Sequence, residues 1–319
     1  MTVSTDGFTH SAFVYSSTEE YLAPVLSFVR GGLAAREPVA VAAPTTNLIR
    51  IKDALRADAG QVCLLDMTDV GRNPGRILPA VLHSFADPHP TVGVRVVSEP
   101  VWSGRTPHDI AACIRHEALI NLAFAGRRIA VMCPYSLDHL DRAELEKVYA
   151  THPVVNDGSG ERPSDRYAPD EVLIAANAAL PVPAGAFTMS FDLATLTGVR
   201  RTAAEFAQRS GMPERRVHAV EVAASELATN SIKHGGGGGI VRLWIDGGSL
   251  ICQVDDHGRL DDPLAGRRPV PASQLSGRGL LLVNMVTDLV RTYSGPDGTS
   301  VRFHVALAQA ARGNPPGNA

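Results

Sequence analysis

The sequence has few features of a membrane, secreted or nucleic-acid-binding protein. Its four cysteines (Cys63, Cys113, Cys133 and Cys252) are scattered, mostly in apolar runs, with no Cys-x-x-Cys pair, which is typical of reduced core thiols. No apolar run approaches the length of a membrane span, and the N-terminus lacks the basic start and apolar core of a signal peptide. The formal net charge of −3 argues against a protein that neutralises nucleic-acid phosphates. We therefore expect a cytoplasmic protein that contacts neither membrane nor DNA directly.

The N-terminal half also lacks a phosphate-binding loop, because no Gly-x-x-x-x-Gly-Lys occurs in it, so nucleotide hydrolysis there is not expected. From Phe8 to about Pro153, short apolar runs alternate with longer helical patterns, which predicts a mostly parallel α/β sheet covered by helices. The predicted strands are Ala12–Tyr15, Val39–Ala43, Val62–Leu65, Val92–Val97 and Ile129–Cys133. The predicted helices are Glu19–Leu33, Leu48–Ala57, Gly75–Phe85, His108–Ala125 and Leu140–Tyr149.

Such sheets bind ligands at the carboxyl ends of their strands. The segments expected at that edge are Tyr15-Ser16-Ser17, Pro44-Thr45-Thr46, Asp66-Met67-Thr68, Glu99-Pro100 and Pro134-Tyr135.

The C-terminal half is organised around one predicted helix, Val217–His234, which a run of five glycines follows. Its apolar residues recur three or four apart, as a buried face requires: Val217, Val220, Ala224, Leu227 and Ala228. Glu226, Asn230 and His234 form a second, polar row at i, i+4 and i+8. A solvated face has this pattern too, but the glycine run is an unusual helix ending unless something must fit tightly against it.

Two glycine-containing segments follow this helix. Val254-x-Asp256-x-Gly258 closes a predicted strand, and Gly277-x-Gly279-Leu280 opens a predicted helix over Leu280–Val290. A helix start preceded by glycines favours anions, because its free N–H groups and its dipole point at them. One Gly-x-Gly alone is weak evidence, whereas the three segments in this order indicate a nucleotide site.

From Phe187 to Leu307 the chain resembles the GHKL ATPases, and among them the bacterial anti-sigma-factor serine kinases. Glu226-x-x-x-Asn230-x-x-x-His234 resembles the N box of that family, Val254-x-Asp256-x-Gly258 its first glycine box, and Gly277-x-Gly279-Leu280 its second. Gly298-Thr299 matches the last turn of the pattern. The first glycine box departs from Asp-x-Gly-x-Gly, because Leu260 replaces its second glycine.

The resemblance implies an α/β sandwich that binds ATP with Mg²⁺. Glu226 would be the general base and Asn230 the metal ligand. Asp256 would accept a hydrogen bond from the adenine amino group, with Gly258 close to the ring. The residues near the phosphates would be Lys233, His234, Gly277, Arg278, Gly279 and Leu280, with Thr299 completing the ATP site and Arg259–Ser276 forming a lid.

The N-terminal half resembles the MEDS sensory domain of bacterial regulators. This resemblance rests on His10-x-x-x-x-Tyr15, Phe28–Leu33, Arg115-His116-Glu117, Cys133-Pro134-Tyr135 and His152-Pro153. His10 and His116 could bind a sensed molecule or metal, although a structural role is the more common one for isolated histidines. A phospho-acceptor role for His116 is not expected, since a strand, a helix and the linker separate it from the ATPase half.

Together the two resemblances predict four segments: a MEDS-like sensory domain over 7–165, a linker over 166–186, a histidine-kinase-like ATPase domain over 187–309 and a disordered tail over 310–319. They imply a regulator that binds a sigma factor and phosphorylates a Ser or Thr of a STAS-type anti-anti-sigma protein, under control of a small-molecule signal. A homodimer is compatible with this. The alternatives are a nucleotide-gated binding protein without kinase activity and a sensor histidine kinase.

Overall fold

The computed structural model describes residues 7–158, 160–270, 274 and 277–307. These residues divide into two compact units: residues 7–176 with Arg267–Pro269, and residues 177–266 with the described residues from Val270 onward. The predicted tail 310–319 and lid residues 271–273, 275 and 276 lie outside the described residues. None of the described helices combines the length and apolar composition needed to span a lipid bilayer.

The first unit contains a seven-stranded sheet of order β3-β2-β4-β5-β1-β6-β7, in which only the β6–β7 pair is antiparallel. Its strands are β1 (Phe8–Tyr15), β2 (Val39–Ala43), β3 (Val62–Asp66), β4 (Val94–Ser98), β5 (Ile129–Ser136), β6 (Val154–Asn156) and β7 (Glu161–Pro163). Residues of β1, β2 and β4 are almost all buried, as expected where helices cover a parallel sheet. The predicted mostly parallel α/β architecture is confirmed.

The helices of the first unit are α1 (Thr18–Ala34), α2 (Thr45–Leu55), α3 (Met67–Val70), α4 (Ser84–Ala86), α5 (Pro107–Ala123), α6 (Arg142–Thr151) and α7 (Pro169–Ala176). Capping boxes fix the starts of two of them. Thr106 and Asp109 exchange side-chain and backbone hydrogen bonds at α5, and Asp141 and Glu144 do the same at α6. The helices α5 and α6 therefore begin at positions that the local sequence determines.

Two parts of the first unit differ from the sequence-based prediction. Gly75–Phe85, predicted as one α-helix, forms a 3-10 turn over Pro74–Arg76, a π-helical segment over Ile77–His83 and the start of α4. The segments Val154–Asn156 and Glu161–Pro163, where no strand is predicted, form β6 and β7, which pair with each other. Apolar periodicity does not distinguish a π-helix from an α-helix. A strand of three residues is too short to show a distinct pattern.

The second unit is a two-layer α/β sandwich. Its antiparallel sheet has the order β11-β12-β10-β9-β8. The strands are β8 (Phe187–Asp192), β9 (Gly238–Asp246), β10 (Ser249–Asp256), β11 (Leu289–Gly295) and β12 (Gly298–Ala306), and the helices are α8 (Leu196–Arg209), α9 (Glu214–His234) and α10 (Gly279–Val286). Helical residues such as Val220 and Leu227 share one core with strand residues such as Leu243 and Phe303. This fold confirms the predicted sandwich.

The helix predicted over Leu280–Val290 is wrong at its C-terminal end. The helix α10 stops at Val286, and the Thr287 hydroxyl donates to the Val283 carbonyl at 2.7 Å. Leu289 and Val290 instead open β11, where Leu289 lies opposite His304. The segment is apolar apart from Asn284, Thr287 and Asp288, and it carries no period that would mark the change from helix to strand.

Candidate functional site

The helix α9 positions Glu226 and Asn230. Its apolar row packs into the core of the second unit, where Val220, Ala224 and Ala228 are fully buried. Glu226 and Asn230 lie one turn apart on the flank of this row and are half-buried. The carboxylate and the carboxamide are therefore held by a packed helix while remaining partly accessible to a ligand.

Gly279, the first residue of α10, lies against both side chains. A Cβ atom at Gly279 would stand 3.0 Å from the Glu226 Oε2 atom and 3.1 Å from the Asn230 Oδ1 and Nδ2 atoms. The start of α10, where the first backbone N–H groups have no acceptor within the helix, therefore lies against the carboxylate and the carboxamide. An anion placed there would meet helix N–H groups on one side and Asn230 on the other.

Asp256 lies at the end of β10, next to the C-terminus of α9. The Ser231 hydroxyl donates to its Oδ2 atom at 2.6 Å, and the Gly258 backbone N–H donates to its Oδ1 atom at 2.9 Å. These two bonds fix the plane of the carboxylate, which stays half-buried. An oriented carboxylate with free lone pairs can accept a hydrogen bond from an exocyclic amino group.

Glycines surround this carboxylate because nothing larger fits. A Cβ atom at Gly258 would overlap the His234 carbonyl oxygen and stand 2.9 Å from the Gly235 Cα atom. A Cβ atom at Gly235 would overlap the Asp256 carboxylate itself, and one at Gly298 would overlap the Asp256 carbonyl. Hence the end of α9, the end of β10 and the start of β12 approach each other at backbone distance.

Hydroxyl groups hold the segment after Asp256. The Thr299 hydroxyl donates to the Gly258 carbonyl at 2.9 Å, and the Ser294 Oγ atom lies 3.3 Å from the Thr299 Oγ1 atom. The Leu260 backbone N–H in turn donates to Ser294 Oγ at 2.9 Å. The residue that departs from the family pattern is thus anchored through its backbone.

The last part of the predicted lid before Arg267 packs on α10. The Asn284 side-chain N–H donates to the Gly266 carbonyl at 3.1 Å and to the Leu280 carbonyl at 3.0 Å. Gly266 has a φ of +69°, and a Cβ atom there would stand 2.6 Å from the Leu280 Cβ atom. Leu280 therefore has a structural contact with the lid segment in addition to its place beside Gly279.

The other predicted site residues lie at the exposed edge of this arrangement. Lys233 and His234 are exposed at the last turn of α9, and Gly277 and Arg278 are exposed before α10. Gly277 has a φ of +86°, which favours glycine. The structure thus places the predicted residues in two groups: Glu226, Asn230, Gly279 and Leu280 on the α9–α10 side, and Asp256, Gly258 and Thr299 at the strand ends.

Sequence reasoning missed Ser231, Ser294 and Asn284. Ser231 and Asp256 are 25 positions apart, so no local pattern pairs them. Asn284 interrupts the apolar run of α10, and a lone polar residue in such a run is the one signal that could have found it.

A second polar group lies at the predicted ligand edge of the first unit. The buried Glu99 carboxylate accepts hydrogen bonds from the Tyr15 hydroxyl at 3.1 Å, the Tyr21 hydroxyl at 2.9 Å and the Asn47 amide at 2.9 Å. Burial raises the pKa of Glu99 to about 7, against the opposing effect of these three donors. Of the segments predicted at this edge, Tyr15 and Glu99 therefore meet directly.

His116 is fully buried in α5. Burial lowers the pKa of its imidazole to about 4. A phospho-acceptor needs a ring that a phosphate donor can reach, and the ring of His116 is enclosed by protein.

Each half of the chain matches the model of a known protein family. Residues 9–153 match the model of the MEDS domain, the methanogen/methylotroph DcmR sensory domain. Residues 189–305 match the model of the histidine kinase-like ATPase domain. A search of curated proteins gave no match.

Two solved structures are similar to parts of the chain. The RsbU and RsbW domains of a Mycobacterium tuberculosis protein share 21% sequence identity over 41% of this chain, with a TM-score of 0.31, and the match spans 34% of that chain, about a third of its length. The histidine kinase AdeS of Acinetobacter baumannii shares 11% identity over 62% of this chain and 96% of its own, with a TM-score of 0.24.

Proposed function

We propose that this chain, in which a MEDS domain precedes a histidine kinase-like ATPase domain, is a regulatory protein kinase. It would use MgATP to phosphorylate a Ser or Thr hydroxyl of a partner protein. The motif resemblance supports an anti-sigma factor that binds a sigma factor and phosphorylates a STAS-type anti-anti-sigma protein. In this proposal, the MEDS domain controls the kinase in response to a small-molecule signal.

The observation that carries the proposal is the contact of Gly279 with both Glu226 and Asn230. Phosphoryl transfer requires a base near the attacking hydroxyl, a metal ligand near the phosphates and donors that stabilise their charge. Glu226, Asn230 and the start of α10 supply these three functions within one small volume. Binding ATP alone does not need a carboxylate at the position of Glu226, which favours a kinase over a simple nucleotide sensor.

The residues present fit ATP and Mg²⁺. The adenine ring would lie beside the backbone of Gly258, and the fixed Asp256 carboxylate would accept from the adenine amino group. The Asn230 Oδ1 atom is a hard oxygen ligand of the type that Mg²⁺ prefers. When bound, Mg²⁺ would neutralise phosphate charge. Glu226 would take the proton from the partner hydroxyl, and Lys233, His234, Arg278 and Gly277 would lie nearest the solvent-exposed phosphates.

Leu260 keeps one alternative open. A lid without the second glycine of the first box suits a nucleotide-gated binding module that phosphorylates nothing, and a sensor histidine kinase is the less favoured second alternative. In the gated module, Glu226 would be an ordinary solvated helix residue, and its replacement would change neither ATP binding nor any reaction.

The test is phosphate transfer from ATP to candidate STAS-type proteins by the full chain and two variants. Glu226→Gln keeps shape and hydrogen bonding but cannot accept a proton, so we expect phosphorylation to fall roughly 10²- to 10⁴-fold with ATP affinity retained. Asn230→Ala should reduce both, because metal and nucleotide bind together. Glu221→Gln is the matched control on the same helix, because the Glu221 carboxylate pairs with Arg200 at 2.6 Å, and it should leave both unchanged.

Two outcomes would contradict the kinase. A wild-type chain that binds ATP but phosphorylates no tested partner would favour the gated binding module. Equal phosphorylation by wild type and Glu226→Gln would remove Glu226 from the role of base.

A further inference from the structure

Four potential metal ligands converge in the core of the first unit: His10 of β1, Glu117 of α5, Cys133 of β5 and His152 directly after α6. All four side chains are at most 1% exposed. One ligand atom of each lies within 4.8 Å of the others. The Glu117 Oε2 atom is central, at 2.9 Å from His10 Nε2, 3.3 Å from Cys133 Sγ and 3.4 Å from His152 Nε2.

The hydrogen bonds behind His10 fix its tautomer. His10 Nδ1 lies 3.1 Å from the side chain oxygen of Asn121. The Asn121 amide cannot be turned round, because its Nδ2 atom donates to the Thr151 carbonyl at 2.8 Å and to the Glu117 carbonyl at 3.2 Å. His10 Nδ1 therefore carries the proton, and in the neutral ring Nε2 presents a lone pair to Glu117 and Cys133.

His152 is held in the same way. Its Nδ1 atom lies 2.8 Å from the Val148 carbonyl oxygen, which can only accept, so the proton is on Nδ1. The Thr151 hydroxyl donates to the same carbonyl at 3.0 Å. His152 Nε2 is buried and lies 3.4 Å from Glu117 Oε2. It makes no hydrogen bond of good geometry with the described residues.

The consequence is that His10 Nε2, His152 Nε2 and the Cys133 thiol all face the Glu117 Oε2 atom, and only the thiol S–H donates a hydrogen bond to it. A carboxylate oxygen 2.9 Å from an unprotonated ring nitrogen is repulsive, and burial in a low-dielectric core makes it more so. Only a proton on His10 or a cation among the four atoms resolves this. A single proton on His10 would satisfy His10 and Glu117, and the Cys133 thiol donates to Glu117 at 3.3 Å, but His152 Nε2 would be left without an equivalent partner.

We propose that His10, Glu117, Cys133 and His152 form a tetrahedral Zn²⁺ site in the MEDS domain. Tetrahedral bonds of roughly 2.0 to 2.3 Å place ligand atoms roughly 3.3 to 3.8 Å apart. Three separations here, 3.3, 3.4 and 3.5 Å, fall in this range, the one between His10 and Glu117 is 2.9 Å, and none exceeds 4.8 Å. The histidines donate their second N–H to an amide oxygen and a carbonyl, the outer contacts that metal-bound imidazoles make. A carboxylate and a thiolate neutralise the charge of one divalent ion, so the buried site carries no net charge.

The ligand set selects the kind of metal. Thiolate and imidazole donors favour Zn²⁺ over Mg²⁺ or Ca²⁺, which prefer oxygen ligands. Because all four positions are protein atoms and the site is buried, the ion would join β1, β5, α5 and the end of α6 as a closed structural site. This site is separate from the ATP site and does not depend on the proposed kinase activity.

The direct test is the metal content of the full chain, purified without chelators and measured by plasma mass spectrometry. We expect about one Zn²⁺ per chain, as a four-ligand site requires. X-ray absorption at the zinc edge of the wild type should show one sulfur and three nitrogen or oxygen neighbours, a readout that needs no variant. Cobalt reconstitution should give a thiolate-to-metal absorption band that Cys133→Ser abolishes.

Cys113→Ser is the matched control, because Cys113 is equally buried in α5 but lies outside the four-residue cluster. It should keep the metal and the cobalt band, whereas Cys133→Ser and His152→Ala should lower zinc content several-fold. The proposal is wrong if the wild type holds no stoichiometric metal or if its zinc has no sulfur neighbour. It is also wrong if the cobalt band survives in Cys133→Ser and disappears in Cys113→Ser. In the metal-free outcome a protonated His10 would pair with Glu117.

Discussion

Protonation of one buried side chain, Glu99, makes the stability of the first unit depend on pH. Its carboxylate lies at the carboxyl ends of the strands, with the Tyr15, Tyr21 and Asn47 side chains around it, one from each of β1, α1 and α2. Three donors from three elements converge on one acceptor, but they do not fully replace the water that burial removes. The raised pKa is the result.

The pH dependence follows from this shift. Because the pKa of Glu99 is about 7 in the folded chain against an ordinary 4.5, the native state binds more protons between these values. The free energy of unfolding should therefore fall as pH rises from 4.5 to 7, by about 3 kcal/mol from this residue. Glu99→Gln should flatten that part of the dependence.

Urea unfolding at pH 5 and pH 8 measures the effect, followed by Trp102 fluorescence in a Trp244→Phe background so that the signal comes from the first unit alone. If the free energy of unfolding changes with pH by the same amount in the chain with Glu99 and in its Glu99→Gln variant, the pKa of Glu99 is not raised by folding.

At the scale of elements, the second unit depends on how closely the end of α9 approaches β10. Gly258 is one of the tight points, because a side chain there would meet the backbone of His234 and Gly235 rather than a movable side chain. Backbone cannot yield without shifting α9, and with it Glu226 and Asn230. The glycines of the family pattern thus have a packing reason that the structure makes explicit.

We expect Gly258→Ala to weaken ATP binding at least tenfold and to destabilise the second unit by about 1 to 3 kcal/mol, the usual cost of overpacking. Gly198→Ala is the control: Gly198 lies in α8 with open space around it, so alanine should be neutral or stabilise by about 0.5 to 1 kcal/mol. Calorimetric titration with ATP and thermal unfolding measure both. Normal affinity in Gly258→Ala would mean that α9 and β10 tolerate a wider spacing.

Most elements were predictable because their patterns are local. The period of α9 and the alternation of apolar runs with helical patterns in the first unit need only neighbouring residues. The end of α10 at Val286 and the strand β7 were not, since the mostly apolar segment Leu280–Val290 and a three-residue strand carry no distinct period. Ser231 with Asp256, and His10 with Glu117, are pairs that only the tertiary fold brings together, across 25 and 107 residues.

At the scale of the whole molecule, the second unit begins earlier than the linker composition indicates. The Asn177 side chain exchanges hydrogen bonds with the Ser294 backbone at 2.8 and 2.9 Å. The Pro181 carbonyl accepts from the Arg302 guanidinium at 2.7 Å, and Leu180 is buried. The stretch 177–183 is thus part of this unit, although the sequence places it in the linker.

We predict that fragment 177–309 folds alone and binds ATP, and that fragment 184–309 binds ATP but melts several degrees lower, because it lacks these contacts. Circular dichroism melts of the two fragments measure the difference. Equal melting temperatures would make residues 177–183 dispensable, and two unfolded fragments would contradict an independent second unit.

Calorimetric titration of MgATP into Asp256→Asn tests the proposal that ATP binds in the second unit with Asp256 as its adenine contact. Loss of a buried hydrogen-bonded contact costs about 1 to 3 kcal/mol, so the affinity should fall roughly 5- to 150-fold. Asp255→Asn is the matched control, because the neighbouring Asp255 carboxylate bonds to Arg242, Gln253 and Ser300 instead. We predict wild-type affinity for Asp255→Asn and a marked loss for Asp256→Asn. Unchanged affinity in Asp256→Asn would contradict the assignment of the site.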